Sequence, residues 1–230
     1  MSTSGSTSWE LTRDNIIYAA LRKLGVLNKG ATPDSTTLST AQTALNGVIS
    51  RFNTLGMPLW KRNEESVTLV AATSSYTLTN ALKVTGVYIR NTSSSVQYEI
   101  DNKSEYDISR MPYSATGLPS CWSFTPNISE GGTLRVWPIP DSSAASNYTL
   151  RVLKQKEMET FTASGETPDF PPYWSDAVIF ALAVSLAPEY SLPLNDRNEL
   201  KQQAKEYLEQ AKGYSDEDGS LFIQPYIYPR

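Results

Sequence analysis

Hydrophobic periodicity switches twice along this 230-residue chain, and that double switch narrows the folds open to it. The first sixty residues carry apolar side chains at helical spacing. From about Lys61 to Lys156 the segments are short, rich in Thr, Val and Tyr, and alternate. Helical spacing returns after Pro171-Pro172. A helix buries a stripe at period 3.6 and a half-buried strand buries alternate residues, so one segment cannot satisfy both patterns.

In the first block, Thr12 is placed to N-cap a helix, with Leu11 and Ile16 at the hydrophobic-staple positions. Ile16, Ile17, Ala20, Leu21 and Leu24 form its stripe, and Gly25 is placed to stop it. A second helix is predicted from Thr32-Pro33, with Pro at the first helical position. Leu38, Ala41, Leu45, Val48, Ile49, Phe52 and Leu55 give its apolar face, and Gly56 closes it. Met57-Pro58-Leu59-Trp60 then turns the chain.

Seven strands are predicted in the middle block: Glu65–Val70, Ser75–Leu78, Val84–Arg90, Val96–Ile100, Cys121–Thr125, Thr133–Trp137 and Tyr148–Leu153. Asn91–Ser95 and Glu130–Gly132 read as turns, and Lys103–Ser109 as one or two helical turns. In the last block, Trp174, Val178, Ala181, Leu182, Ser185 and Leu186 line a helix that stops before Pro188. The run Ala177–Ala187 is too short to span a bilayer and reads as a buried helix. A final helix is predicted from Asp196, where Asp196 and Glu199 have capping-box spacing, with Leu200, Ala204, Leu208 and Ala211 on its apolar face.

The expected class is therefore α+β: a four-helix unit formed by the N- and C-terminal helical pairs, an inserted antiparallel β region, and an extended C-terminal tail. The divisions are a leader at 1–11, a discontinuous helical domain at 12–60 and 171–214, a β-rich domain at 61–170, and a tail at 215–230. The opening MSTSGSTS has neither a basic n-region nor an apolar h-region, so no secretory signal is expected.

Composition limits the chemistry. The chain has no histidine, which removes the commonest general base and metal ligand and every Ser-His or Cys-His arrangement. One cysteine, Cys121, excludes an internal disulfide. Net charge is −4, and the basic residues form only short pairs: Arg22-Lys23, Lys61-Arg62, and Lys154 with Lys156. Those pairs read as solvated element faces rather than a DNA-gripping stripe. Carboxylates are the remaining acid–base candidates: Glu64-Glu65, the group Asp101, Glu105 and Asp107, and Glu157 with Glu159. Asp216-Glu217-Asp218-Gly219 lacks the alternating ligands of a calcium loop, and Gly131-Gly132 lacks the Lys-Ser/Thr of a phosphate loop. No cofactor and no metal are expected.

The residues expected to carry function lie beyond a polar break at 215–220: Leu221, Phe222, Ile223, Pro225, Tyr226, Ile227 and Tyr228. Pro225 and Pro229 disfavour a helix, so the segment is expected to bind a partner in extended form. Burying its large side chains gains roughly 9–18 kcal/mol, and ordering its backbone costs roughly 10–20 kcal/mol. A single copy should therefore dock weakly, and many linked copies firmly. The alternative is that the segment folds back on its own domain.

The run Asp14-Asn15-Ile16-Ile17-Tyr18-Ala19-Ala20-Leu21-Arg22-Lys23-Leu24-Gly25-Val26-Leu27 resembles the opening of the head-to-tail adaptors of short-tailed bacteriophages, also called tail accessory factors or packaged-DNA stabilisation proteins. The resemblance continues in order through Ala44–Ile49, Leu55–Trp60, Ser75–Leu78, Ser104–Asp107, Gly117–Pro119, Leu134–Pro140, Asp169–Trp174 and Leu182–Tyr190. It implies a structural protein, not an enzyme: a ring, typically of twelve copies, beneath the portal protein at the head–tail junction of the virion. Such a ring extends the DNA channel and gives later tail proteins a platform. The partners implied are the portal, neighbouring adaptor copies, a downstream tail protein, and DNA passing without sequence-specific contact; no membrane is implied. Synthesis is expected in the host cytoplasm. Two other readings stay open: a carboxylate-based peptidoglycan hydrolase, and a β-rich carbohydrate-binding module using Tyr98, Tyr106, Tyr113, Trp122 and Trp137.

Overall fold

The structure, a computed structural model, describes residues 11–55, 59–94, 96–127 and 131–215. It is mixed α and β, as the two changes of periodicity require. Helix α1 spans Arg13–Lys23, and its N-cap Thr12 accepts from the Asn15 amide at 3.4 Å. Gly25 follows the helix with φ +71, a conformation that costs a glycine little. Helix α2 spans Ser35–Asn53. Its N-cap is Asp34, whose carboxylate accepts from the Thr37 amide at 2.8 Å, so the helix starts two residues after the expected Pro33. An Asp side chain satisfies an orphan amide that a proline ring cannot.

After a 3-10 turn at Leu59–Lys61 the strands begin. They are β1 (Arg62–Thr68), β2 (Ser75–Leu78), β3 (Ala81–Asn91), β4 (Gln97–Glu99), β5 (Asp101–Asn102), β6 (Thr116–Gly117), β7 (Cys121–Pro126), β8 (Gly132–Trp137), β9 (Ile139–Pro140) and β10 (Tyr148–Lys156). One sheet has the order β1-β10-β3-β4 and is antiparallel throughout; a second has the order β2-β8-β7-β5. The expectation of an all-antiparallel region needs correction, because β5 pairs with β7 in parallel, as do β6 and β9. These pairs are two residues long and join strands that are not chain neighbours, so no hairpin fixes their direction.

Leu78, Val87, Ile89, Trp122, Leu134, Val136, Leu150 and Val152 fill the space between the two main sheets. Gly132 lies under the Phe124 ring, where an added Cβ would come within 2.4 Å of the ring edge. The turn after β3 is held by Asn91, whose side-chain oxygen accepts from the amides of Ser93 and Ser94, both at 2.9 Å. Two short helices sit among the strands. Helix α3 (Glu105–Ser109) fulfils the expected helical turns, and α4 (Ser142–Asn147) is capped by Asp141 on the Ala144 amide.

Helix α5 spans Ser175–Leu186 and α6 spans Leu194–Tyr214. Most of α5 is buried, as an apolar run without a polar face requires, and it packs against α1, α2 and α6. α6 begins two residues before Asp196, with Pro193 at the N-cap position and no side-chain cap. Asp196 thus lies inside the first turn, where its charge still favours the helix N-terminus. Side chains of α1, α2, α5 and α6 share one hydrophobic cluster, and the sheets contribute none of its buried members.

The return from β10 to the helices is held by amide side chains of α2. Asn46 donates to the Phe161 carbonyl and accepts from the Phe161 amide, both at 2.9 Å. Asn53 accepts from the Met158 amide at 2.9 Å and donates to the Met158 carbonyl at 3.4 Å. Gln42 donates to the Phe161 carbonyl at 3.1 Å. One edge of α2 therefore serves the extended backbone at 158–161 as a neighbouring strand would. Met158, Phe161 and Phe170 then reach the helical cluster.

Candidate partner-binding surface

The segment expected to dock, Leu221 to Tyr228, lies outside the described residues; its root does not. At the end of α6, Ser215 is 3% exposed. Its Oγ accepts from Trp174 Nε1 at 3.1 Å and donates to the Ala211 carbonyl at 2.8 Å. Trp174 is itself buried and meets Phe52 and Trp60 edge-on, with ring centroids at 5.9 and 5.7 Å. The last described residue before the segment expected to dock is thus tied to the core of the helical layer. Beside it Tyr214 stands exposed against Tyr173, ring to ring at 4.8 Å.

Along α6 from this root, a groove of about 500 Å³ opens between α2, α5 and α6. Phe52, Val184, Pro188, Ala204 and Leu208 give it an apolar floor. Arg51, Lys201 and Lys205 stand at its rim. Sequence reasoning did not find this groove, because its walls come from three helices far apart in the chain. The available signal was the apolar pair Ala204 and Leu208, spaced i,i+4, each beside a lysine spaced the same way.

Six of the seven carboxylates offered for acid–base chemistry, all but Glu157, have side-chain partners. Glu64 pairs with Arg151, and Glu65 with Lys154 at 2.5 Å. Glu105 accepts from the Thr125 hydroxyl at 2.8 Å, and Asp107 from the Ser104 hydroxyl that caps α3. Asp101 lies 3.9 Å from Lys103, and Glu159 lies 3.3 Å from Lys156. Among the described residues no cluster of three or more His, Cys, Asp or Glu could hold a metal. No helix among them is long and apolar enough to cross a membrane.

The aromatic residues divide. Trp122 is buried and donates to the Ile100 carbonyl at 3.1 Å, and Trp137 donates to the Pro112 carbonyl at 3.1 Å. Tyr98, Tyr106 and Tyr113 are exposed, and Arg110 lies over the Tyr106 ring. Cys121 is buried, and burial pushes its thiol pKa up, which keeps it protonated and inert.

Arg22 and Lys23 are exposed, as expected, but each of the other two basic pairs contains a buried lysine. Lys154 is buried, donating to Glu65 and, at 2.6 Å, to the Thr79 carbonyl. Lys61 is 1% exposed and donates to Asn53 Oδ1 at 3.0 Å. Burial pushes the Lys61 ammonium down to about 8, against the opposing pull of Asp169 and Glu157. Between pH 8 and 10.5 the unfolded chain then holds this proton and the folded chain does not. Stability therefore rises across that window, and the cost of the buried charge is fully present below it. Lys61→Met should raise the melting temperature at pH 7 by several degrees. That gain over wild type should shrink as pH climbs from 8 to 10.5, as differential scanning fluorimetry would show.

The model of the family described as "SU10 adaptor protein" matches residues 12–223. The chain belongs to this adaptor family. The match bears out the resemblance to phage head-to-tail adaptors, and it runs past Ser215 into Leu221-Phe222-Ile223. Among solved structures, one described as "Neck of empty GTA particle computed with C6 symmetry" contains a similar chain. It is 13% identical, covers 80% of this chain and 83% of its own, and superposes with a TM-score of 0.29. No curated protein matches the adaptor.

Proposed function

We propose that the protein is a structural head-to-tail adaptor that forms a ring beneath a phage portal. The family match over residues 12–223 carries this reading. In it, the four long helices act as one unit that builds the ring, and the two sheets project as an inserted module. The ring, of twelve copies, extends the DNA channel at the head–tail junction and offers a platform to a downstream tail protein. The net charge of −4 suits a channel through which DNA must pass without being held, since like charges repel.

Leu221, Phe222, Ile223, Pro225, Tyr226, Ile227 and Tyr228 supply the docking contact, on the portal or on a neighbouring copy. Their root at Ser215 is fixed, so binding energy gained by the segment is passed to the helical layer rather than lost in slack. The protein acts without catalysis: the candidate carboxylates engaged by lysine, arginine and hydroxyl partners support that view.

Electron microscopy of the purified protein mixed with portal rings tests the proposal. The full chain should add a ring of density to the portal. A variant lacking Leu221–Arg230 should keep its circular dichroism spectrum yet leave the portal bare. Bare portals with the full chain, or lysis of purified cell wall in a zymogram, would overturn it.

A further inference from the structure

We propose that the groove between α2, α5 and α6 is a receptor for the chain's own segment Asp216–Tyr228, which occupies it before assembly. The inference rests on the reading of Leu221–Tyr228 as a docking segment, and it names the surface that holds it in the free protein.

Reach comes first. Ser215 is pinned by Trp174 and Ala211, so the segment starts from a fixed point. Ala204, at the middle of the groove, lies eleven residues back along α6, which is about 16 Å at the helical rise. A chain turning back along α6 gains roughly 3.3 Å per extended residue. It therefore brings Leu221-Phe222-Ile223 over Ala204 after roughly 20 Å of backbone, with little slack.

Chemical composition agrees with reach. The first residues to pass along α6 are Asp216, Glu217 and Asp218, and the apolar triplet follows. The groove answers both. Arg51 and Lys201 have no carboxylate partner among the described residues, and Lys205 has only the exposed Glu209, at 3.7 Å. Below that basic rim lies the floor of Phe52, Val184, Pro188, Ala204 and Leu208. A segment carrying both acidic and apolar residues thus meets a groove with a basic rim and an apolar floor.

Energetics favours the chain's own segment over a neighbour's in solution. Association of two molecules costs several kcal/mol of translational and rotational freedom, whereas a tethered segment meets its site at millimolar effective concentration. A segment whose burial and ordering terms nearly cancel docks best where that cost is absent. On a ring the same segment can exchange its own groove for a partner, so cis docking keeps an apolar strand covered until assembly.

Engineered disulfides test this in the full chain. With buried Cys121 replaced by Ser, Ala204→Cys is combined with Ile223→Cys. A control combines Gln202→Cys, on an exposed position of α6, with the same Ile223→Cys. At micromolar protein, the groove pair should close at least tenfold faster than the control, as a monomer on non-reducing gels. Adding Leu208→Asp to the groove pair should remove that advantage. Equal closure rates, or predominantly dimeric product, would overturn the proposal. The outcome is separable from the function itself: if the disulfides show no cis contact while deletion of Leu221–Arg230 still abolishes assembly on portals, the adaptor reading stands and only the groove assignment falls.

Discussion

Trp174→Ala should lower the unfolding free energy by about 3–5 kcal/mol, the cost of truncating a large aromatic inside a packed core. The loss is expected near the upper part of that range because this ring joins several elements. Its edge and face meet Phe52 from α2 and Trp60 from the turn before β1. Its indole N–H is the donor that reaches Ser215 at the end of α6. Removing it empties a volume lined by three elements that cannot all collapse inward at once. Domains of this size are stable by only about 5–15 kcal/mol, so the variant forfeits a large share of that margin. Trp174→Phe keeps an aromatic ring and loses the donor, and should cost about 1–2 kcal/mol. Urea denaturation followed by circular dichroism would measure both. A loss below 1 kcal/mol for the alanine variant would show that Trp174 does not bind these elements together. The variant should also fray the last turn of α6, and under the docking role proposed for Leu221–Tyr228 it should weaken assembly on the portal.

The same residue shows how far sequence reading goes. Periodicity alone places Trp174 on the apolar face of α5's leading turn, and it is buried there. Thr12, Gly25 and the strand Ser75–Leu78 were equally legible, because caps, left-handed stops and alternation are local. What escaped was non-local. Helix α4, SSAASN, carries no apolar stripe and exists because Asp141 caps it and β9 and β10 hold its ends. The parallel β5–β7 pair joins strands twenty residues apart. Lys61 and Lys154 looked solvated, since nothing in their neighbours announces that Asn53 and Glu65 will enclose them. The groove has the same character: Phe52, Val184 and Leu208 each read as ordinary core residues, and only the packing of three helices leaves them partly open together.

Asn53→Ala should cost about 3–5 kcal/mol, and its more telling consequence is that the cost should depend on Lys61. In the wild type one amide side chain serves three buried partners: the Met158 amide, the Met158 carbonyl and the Lys61 ammonium. Truncation leaves the two backbone groups unpaired, at about 1–3 kcal/mol each, and takes from a buried ammonium its hydrogen-bond acceptor. The segment at 158–161 would then be held to α2 by Asn46 and Gln42 alone, which loosens the joint between the β region and the helices. The two residues should therefore be strongly coupled. In a Lys61→Met background the ammonium is gone, so Asn53→Ala loses only the Met158 contacts, and its cost should fall by about 1–3 kcal/mol. Asn53→Asp should reverse the pattern. A carboxylate keeps an acceptor for the Met158 amide and gives Lys61 a counter-charge, so it should be mild alone and damaging beside Lys61→Met, where the carboxylate is buried unpaired. A double-mutant cycle on these variants at pH 7 decides the matter. Additive losses would mean that Lys61 and Asn53 act separately. Coupling of the stated sign would establish the Lys61–Asn53–Met158 cluster as the polar pin that holds the inserted sheets to the helical layer.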